Sequence, residues 1–126
     1  MDISAQALTT CEVASDGGAI SLGFVDSAGN PATITLSLKQ VGALVMTLPR
    51  LLDHALQTRY GDRSLRYAYP LASWIVEQST DAAQRMVTLQ TEDGFSVCFS
   101  GPREQQNQLG EALMAQPRLN VRLRAN

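Results

Sequence analysis

The residues best suited to recognition chemistry lie close together, in the segment RYGDRSLRYAYPLASW at positions 59–74. This segment holds the chain's three tyrosines and its single tryptophan, together with three arginines. Guanidinium groups bind phosphate or carboxylate, and tyrosine rings stack on nucleic-acid bases. The pattern indicates a small anion-binding or single-stranded nucleic-acid surface formed by Arg59, Arg63, Arg66, Tyr67 and Tyr69.

The same segment has a second interpretation, as the connection between two halves of the fold. We call residues 59–70 the crossover. Such a connection lies across a sheet or a helix, and large amphipathic side chains hold it in place. We favour this structural interpretation, in which Asp62 pairs locally with Arg59 or Arg66 and Trp74 belongs to the core.

Signals for catalysis or metal binding are weak. His54 is the only histidine, so a histidine-based enzyme would have to use it with the neighbouring Asp53. We keep this as a remote hypothesis, because the apolar helix stripe described below flanks His54 and favours a histidine that is solvated or at the edge of the core. Cys11 and Cys98 are too few for a disulfide framework or a metal site, and we interpret both as buried structural thiols. We predict no metal and no cofactor.

The bulk composition indicates one soluble domain of 126 residues. A net charge of −2 argues against a general nucleic-acid or membrane-surface binder. The N-terminal residues show no secretion signal, and no apolar run has the length of a membrane span. We therefore expect a cytoplasmic protein with reduced thiols.

The first half of the chain predicts three strands and a helix. Strands are expected at 8–14, 19–25 and 32–36, the latter two from their alternating apolar residues. Ser37 and Gln40 have the spacing of a capping box, and an apolar stripe runs from there to position 56. Pro49 predicts a kink or a break within this helix, and Gly61 predicts its end.

The second half repeats this order. Strands are expected at 71–78, 85–91 and 95–100, and a helix with Pro102 at its first position runs to about 116. We predict an α+β fold built as a tandem βββα repeat, with units at about 7–61 and 70–116. A mostly antiparallel sheet and two helices would form a single domain, with small differences in loop length between the units.

The last ten residues, 117–126, form a basic tail with alternating leucine or valine. They predict an edge strand, a loose basic arm, or a strand added to a second chain. The first helix is more apolar than one small sheet needs, which indicates a subunit contact or, more commonly, deeper burial. The leading hypothesis is a non-catalytic interaction or adaptor module that acts as a homodimer and binds itself or another protein. The alternative is a sensor of small anions or nucleic acid that uses the crossover.

Overall fold

The computed structural model describes residues 1–116 and 122–125 and confirms the α+β class. Two three-stranded antiparallel sheets, of order β1-β2-β3 and β5-β6-β7, are each followed by a helix, and β4 pairs in parallel with β8. The elements are β1 (Ala5–Val13), β2 (Ala19–Asp26), β3 (Pro31–Ser37), α1 (Leu38–Tyr60), β4 (Leu65–Ala68), β5 (Ser73–Gln78), β6 (Gln84–Gln90), β7 (Ser96–Pro102), α2 (Arg103–Met114) and β8 (Arg122–Ala125).

The chain divides into two compact units, Met1–Leu52 and Asp53–Asn126. The boundary lies inside α1, which continues as one helix through Pro49. Of the two effects predicted at this proline, the break is therefore wrong. The first unit contains β1, β2, β3 and the first part of α1, and the second unit contains the remaining elements.

The two three-stranded sheets share most of their register when one is shifted by 65 residues along the chain. The whole β2–β3 ladder matches β6–β7, and β1–β2 matches β5–β6 from Thr10 to Val13. Equivalent positions include the strand pairs next to each turn and the first residue of each helix. The pair Val13↔Ile20 corresponds to Gln78↔Arg85, and the pair Ala19↔Ser37 corresponds to Gln84↔Pro102. The first helical residue Leu38 corresponds to Arg103.

The turns that follow β2 and β6 match at the same shift. In the first turn Gly29 donates its N–H to the carbonyl of Asp26, and in the second Gly94 donates to the carbonyl of Thr91. Both glycines have positive φ, 87° and 95° respectively. Side chains with a Cβ rarely adopt this conformation, so glycine suits both positions.

The predicted ends of α1 are confirmed. Ser37 Oγ accepts the N–H of Gln40 at 3.2 Å, and Gln40 Oε1 accepts the N–H of Ser37 at 2.9 Å, which is a reciprocal capping box. At the other end Gly61 has a φ of 61°, and Asp62 donates its N–H to the carbonyl of Gln57. This bond over five residues is the C-terminal Schellman arrangement.

The start of α2 differs slightly from the prediction. Pro102 is the N-cap residue, with φ −66° and ψ 151°, and not the first residue of the helix. Proline has a φ near −65° in strands and helices alike, so its presence does not fix the first helical residue. The helix ends at Met114, two residues before the predicted end.

Several predictions of burial are wrong. Trp74, expected in the core, is 65% exposed, and the thiols of Cys11 and Cys98 are exposed. Deeper burial does not explain the apolar stripe of α1, because many of its larger residues are exposed, among them Leu44, Val45, Leu48 and Leu51. Apolar periodicity identifies the face of an element that avoids water but does not show that another element covers it.

Candidate functional site

The crossover contains a strand that the sequence analysis missed, and α1 anchors it. Asp53 Oδ1 accepts the N–H of Tyr67 at 2.7 Å, and Gln57 Nε2 donates to the carbonyl of Leu65 at 3.0 Å. Asp53 and Gln57 are four residues apart and share one face of the helix. They bind the edge of β4 at two points, and Leu65 is 4% exposed.

The arginines predicted to bind anions lie in different settings, although all three are exposed. Arg66 Nη1 donates to the carbonyls of Arg63 and Leu65 at 3.1 and 3.0 Å. The guanidinium of Arg59 lies over the ring of Tyr60, 5.7 Å from its centroid. Two of the three guanidinium groups therefore make local contacts that support the crossover.

The predicted tyrosines lie together, in a row of aromatic rings. Tyr69 stacks on Phe95 with centroids 4.8 Å apart and an interplanar angle of 21°. Tyr67 meets Tyr69 edge-on at 5.2 Å and 64°. The row joins the crossover to the turn between β6 and β7. Ring contacts of this kind are worth about 0.5–1.5 kcal/mol beyond their burial.

The turn between β6 and β7 holds a carboxylate, that of Asp93, whose pKa is lowered from its ordinary value. The Thr91 hydroxyl donates to Asp93 and, with backbone hydrogen bonds, lowers the pKa of that carboxyl, while desolvation acts in the opposite direction. Thr91 also accepts the N–H of Phe95 at 3.1 Å. The turn therefore positions the ring on which Tyr69 stacks.

The basic tail lies partly in the structure. Arg122–Ala125 form β8, which runs parallel to β4 and pairs Arg66 with Leu123 and Tyr67 with Arg124. This corresponds to the edge-strand alternative for these four residues, whereas positions 117–121 and 126 lie outside the described residues. The pairing places the backbone of the second arginine-containing segment beside the crossover.

The second unit also contains an apolar groove of about 810 Å³ between α2 and one face of the β5-β6-β7 sheet. Gln106 Nε2 donates to the carbonyl of Arg85 at 3.0 Å and holds α2 against this sheet. Within residues 1–116 no charged side chain lines the groove. The lining residues are Leu71, Trp74, Val76, Val87, Leu89, Phe99, Ser100, Gly101, Gln105, Gln106, Leu109 and Leu113.

The groove is open to solvent, since Trp74, Phe99 and Leu113 are 65%, 58% and 77% exposed. Several larger apolar side chains of the groove are therefore available to a second molecule, and contiguous exposed apolar surface often marks a binding site. The geometry suits an apolar surface of another molecule better than a charged ligand.

Sequence analysis identified the strands that form the groove but not the groove itself. The sequence signal for the groove was the placing of apolar residues at alternate positions, Trp74 and Val76 in β5 and Val87 and Leu89 in β6. The thin apolar face of α2 completed this signal. Periodicity gave the apolar face of each element separately. Only the three-dimensional arrangement shows that these faces form a single concave surface.

The remaining chemistry is sparse in the part of the chain that the structure describes. His54 is exposed, and a carboxylate oxygen of the adjacent Asp53 is bound to Tyr67. Residues 1–116 and 122–125 contain no group of three histidine, cysteine or acidic side chains arranged to hold a metal ion. Neither described helix combines the length and apolar character required to cross a bilayer.

Comparison with known proteins gives no match: no protein-family model, curated protein or solved structure is similar to this chain.

Proposed function

We propose that the protein is a non-catalytic adaptor module that forms a homodimer and binds a partner protein through the apolar groove of its second unit. The observation that carries the proposal is the exposed apolar groove between α2 and the sheet, in which none of the lining residues within 1–116 is charged. Apolar grooves of this kind receive the apolar face of a partner segment.

The partner segment that suits the groove is an amphipathic helix. One wall of the groove is already a helix, α2, which lies on the sheet and presents Leu109 and Leu113 to the cavity. A second helix could lie beside it on the same sheet, at the 8–10 Å spacing typical of packed helices. Its residues at i, i+3, i+4 and i+7 would supply the apolar contacts.

The apolar stripe of α1 supports association in general. Leu44, Val45, Leu48 and Leu51 are exposed on this helix, so the stripe has apolar surface available for a contact. We include a cytoplasmic location in the proposal, because Cys11 and Cys98 are free exposed thiols, which a reducing compartment preserves.

We further propose that the fold is a single domain that arose by duplication of a βββα unit. The β2–β3 register, the β1–β2 register from Thr10 to Val13, the turn hydrogen bonds and the helix starts coincide at the one shift of 65 residues, so no difference in loop length is needed. In both copies an aspartate accepts the N–H of the residue two positions on. Identical residues at this shift include Ala7/Ala72, Glu12/Glu77, Asp16/Asp81, Gly29/Gly94, Gln40/Gln105, Leu44/Leu109 and Leu48/Leu113.

The test of groove binding uses Trp74, the only tryptophan, as an internal probe. A synthetic amphipathic helix of leucine and lysine should shift the Trp74 emission to shorter wavelength on binding. Leu109→Gln should weaken this binding about tenfold or more, because it places an amide in the apolar wall. Met114→Gln is the matched control, since Met114 is exposed on the same helix but does not line the groove.

Equal binding by wild type and Leu109→Gln would contradict a groove site for the helix. A second titration with a medium-chain fatty acid distinguishes another occupant. If the fatty acid shifts the emission and the helix does not, the groove is a small-ligand site and the adaptor proposal fails.

A second proposal is that the crossover binds a small anion or nucleic acid through Arg59, Arg63, Arg66, Tyr67 and Tyr69. The observation in its favour is the pairing of β8 with β4, which adds the backbone of Arg122–Ala125 beside the crossover. Arg59→Ala with Arg63→Ala should then reduce salt-dependent binding of a short oligonucleotide or of inorganic phosphate. Arg50→Ala, an exposed arginine earlier on α1, is the control; equal binding by all variants would exclude this site.

A further inference from the structure

β5 is an outer strand of its sheet, and none of the described strands pairs with its outer edge. At the turn Ser79 donates its N–H to the carbonyl of Gln84, and the ladder pairs Ser73↔Gln90 through Gln78↔Arg85. Successive peptide groups of a strand point to opposite edges, so the N–H and C=O groups of Ile75 face β6, like those of Ser79. Those of Trp74 and Val76 then face away from the sheet.

Within β5 itself this edge is regular, unlike its counterpart in the first sheet; an irregularity precedes it, where Ala72 donates its N–H to the carbonyl of Gln90, the partner of Ser73. The β1–β2 register shifts twice, between Ala5 and Ala7 and between Leu8 and Thr10, whereas the β5–β6 register has no shift from Ser73 to Gln78. Bulges are a common protection of edge strands against pairing with other chains. All six residues of β5 are exposed, and Ile75 is 47% exposed.

From these observations we infer that the homodimer forms by antiparallel pairing of β5 with β5 of a second copy, with the two-fold axis passing through Ile75. The inference rests on the homodimer of the proposed function and assigns its contact surface. The two sheets would join into one sheet of six strands, which is a common mode of strand addition.

The register follows from the side chains and the backbone together. A two-fold axis at Ile75 places Trp74 opposite Val76 of the second copy, and these are the residues whose N–H and C=O groups face outward, so both pairs exchange hydrogen bonds. Ile75 meets the second copy's Ile75 as a non-hydrogen-bonded pair, in which side chains are closest. Glu77 lies opposite Ser73 of the second copy, which keeps the two carboxylates apart. A two-fold axis at Val76 would instead oppose Ile75 to Glu77.

The pairing has a consequence for the groove. Trp74 and Val76 line the groove and also form the contact, so the two grooves would become continuous across the axis. Five strand spacings of about 4.8 Å place the outer strands of such a sheet roughly 24 Å apart. The two α2 helices, each about 10–12 Å in diameter, take up part of this width, so the remaining floor accommodates one further helix.

The experiment changes Ile75, because in the inferred dimer this residue lies opposite Ile75 of the second copy. Its side chain points to the sheet face opposite the groove, since Trp74 and Val76 line the groove. Full-length Ile75→Lys and Ile75→Glu variants should each dimerise about tenfold or more weakly than wild type, because like charges would oppose each other. An equimolar mixture, in which one variant carries a uniform ¹⁵N label to separate the masses, should recover dimers of one Lys and one Glu chain, measured by native mass spectrometry and sedimentation velocity.

The outcomes separate this inference from the proposed function. If wild type and both variants dimerise equally, or if the mixture does not prefer the mixed dimer, the β5 contact is wrong. Loss of the dimer in Leu48→Gln but not in Ile75→Lys would assign the contact to α1 and also refute the β5 contact, while the homodimer stands. A wild type that never dimerises contradicts the homodimer itself. Circular dichroism spectra and helix binding that match wild type show that each variant is folded.

Discussion

The anchoring of β4 by α1 allows one prediction to be worked out in detail. Asp53→Ala removes the acceptor of the Tyr67 N–H, a charge-assisted hydrogen bond of 2.7 Å in a half-buried setting. Asp53→Asn keeps an oxygen acceptor but removes its charge. His54→Ala is the matched control, because His54 is the next residue of the helix and is exposed.

The magnitude follows from the type of bond. Hydrogen bonds to charged groups contribute about 1.5–3 kcal/mol, and partial exposure places this one in the lower half of that range. We expect Asp53→Ala to lower the free energy of unfolding by about 2 kcal/mol and Asp53→Asn by about 1 kcal/mol. For a chain of this size 2 kcal/mol corresponds to a fall in Tm of roughly 6–12 °C. Gln57→Ala should cost about 1 kcal/mol, and less when Asp53 is already changed, since both side chains hold the same strand.

Two assays check this prediction. Urea denaturation followed by circular dichroism measures the free energy of unfolding, and hydrogen exchange measures the protection of the Tyr67 amide. Asp53→Ala should reduce both, whereas His54→Ala should leave both within about 0.5 kcal/mol of wild type. Unchanged protection of the Tyr67 amide in Asp53→Ala would refute the anchoring of β4 by this side chain.

Three further predictions follow from the turns and caps. Ser37→Ala should lower the free energy of unfolding by about 1 kcal/mol in chemical denaturation, because it removes the N-cap of α1. Gly29→Ala and Gly94→Ala should each cost about 1–2 kcal/mol in the same assay, because both positions require positive φ; equal stability to wild type would contradict the turn geometry. Thr91→Val should raise the pKa of Asp93 toward its ordinary value of 3.8, measured by NMR titration of the carboxyl. Because the pKa of Asp93 is depressed in the folded state, its contribution to stability is complete at a pH above the ordinary pKa. This contribution is lost as the pH falls through the lower pKa of the folded state. Thr91→Val should therefore flatten the dependence of stability on acid pH.

Much of the fold follows from local sequence signals. The capping box at Ser37 and Gln40, the glycine at the end of α1 and the turn glycines act over a few residues, so sequence alone identified them. The strand β4 was missed because its hydrogen bonds come from distant partners, namely Asp53, Gln57 and the strand β8. Proline removes a single intrahelical hydrogen bond and does not by itself end a helix, so the sequence alone left the continuity of α1 at Pro49 open.

The candidate site was less predictable than the fold. The cluster of arginine and tyrosine was visible in the sequence. In the structure, however, Arg66 binds the carbonyls of Arg63 and Leu65, and Tyr69 stacks on Phe95. The groove depends on how strand faces and α2 come together, and the exposure of Trp74 depends on what lies over it. Apolar periodicity shows which face of one element favours burial. It does not show which elements pack together or what covers Trp74.

The most direct test of the account is sedimentation velocity of the wild-type chain over a wide range of concentrations. We expect a reversible homodimer, of twice the 13.6 kDa chain mass, whose fraction rises with protein concentration. We also expect a parallel shift of Trp74 emission, because this residue lies in the inferred contact. A chain that sediments as a monomer at every concentration would contradict the homodimer on which the proposed function depends.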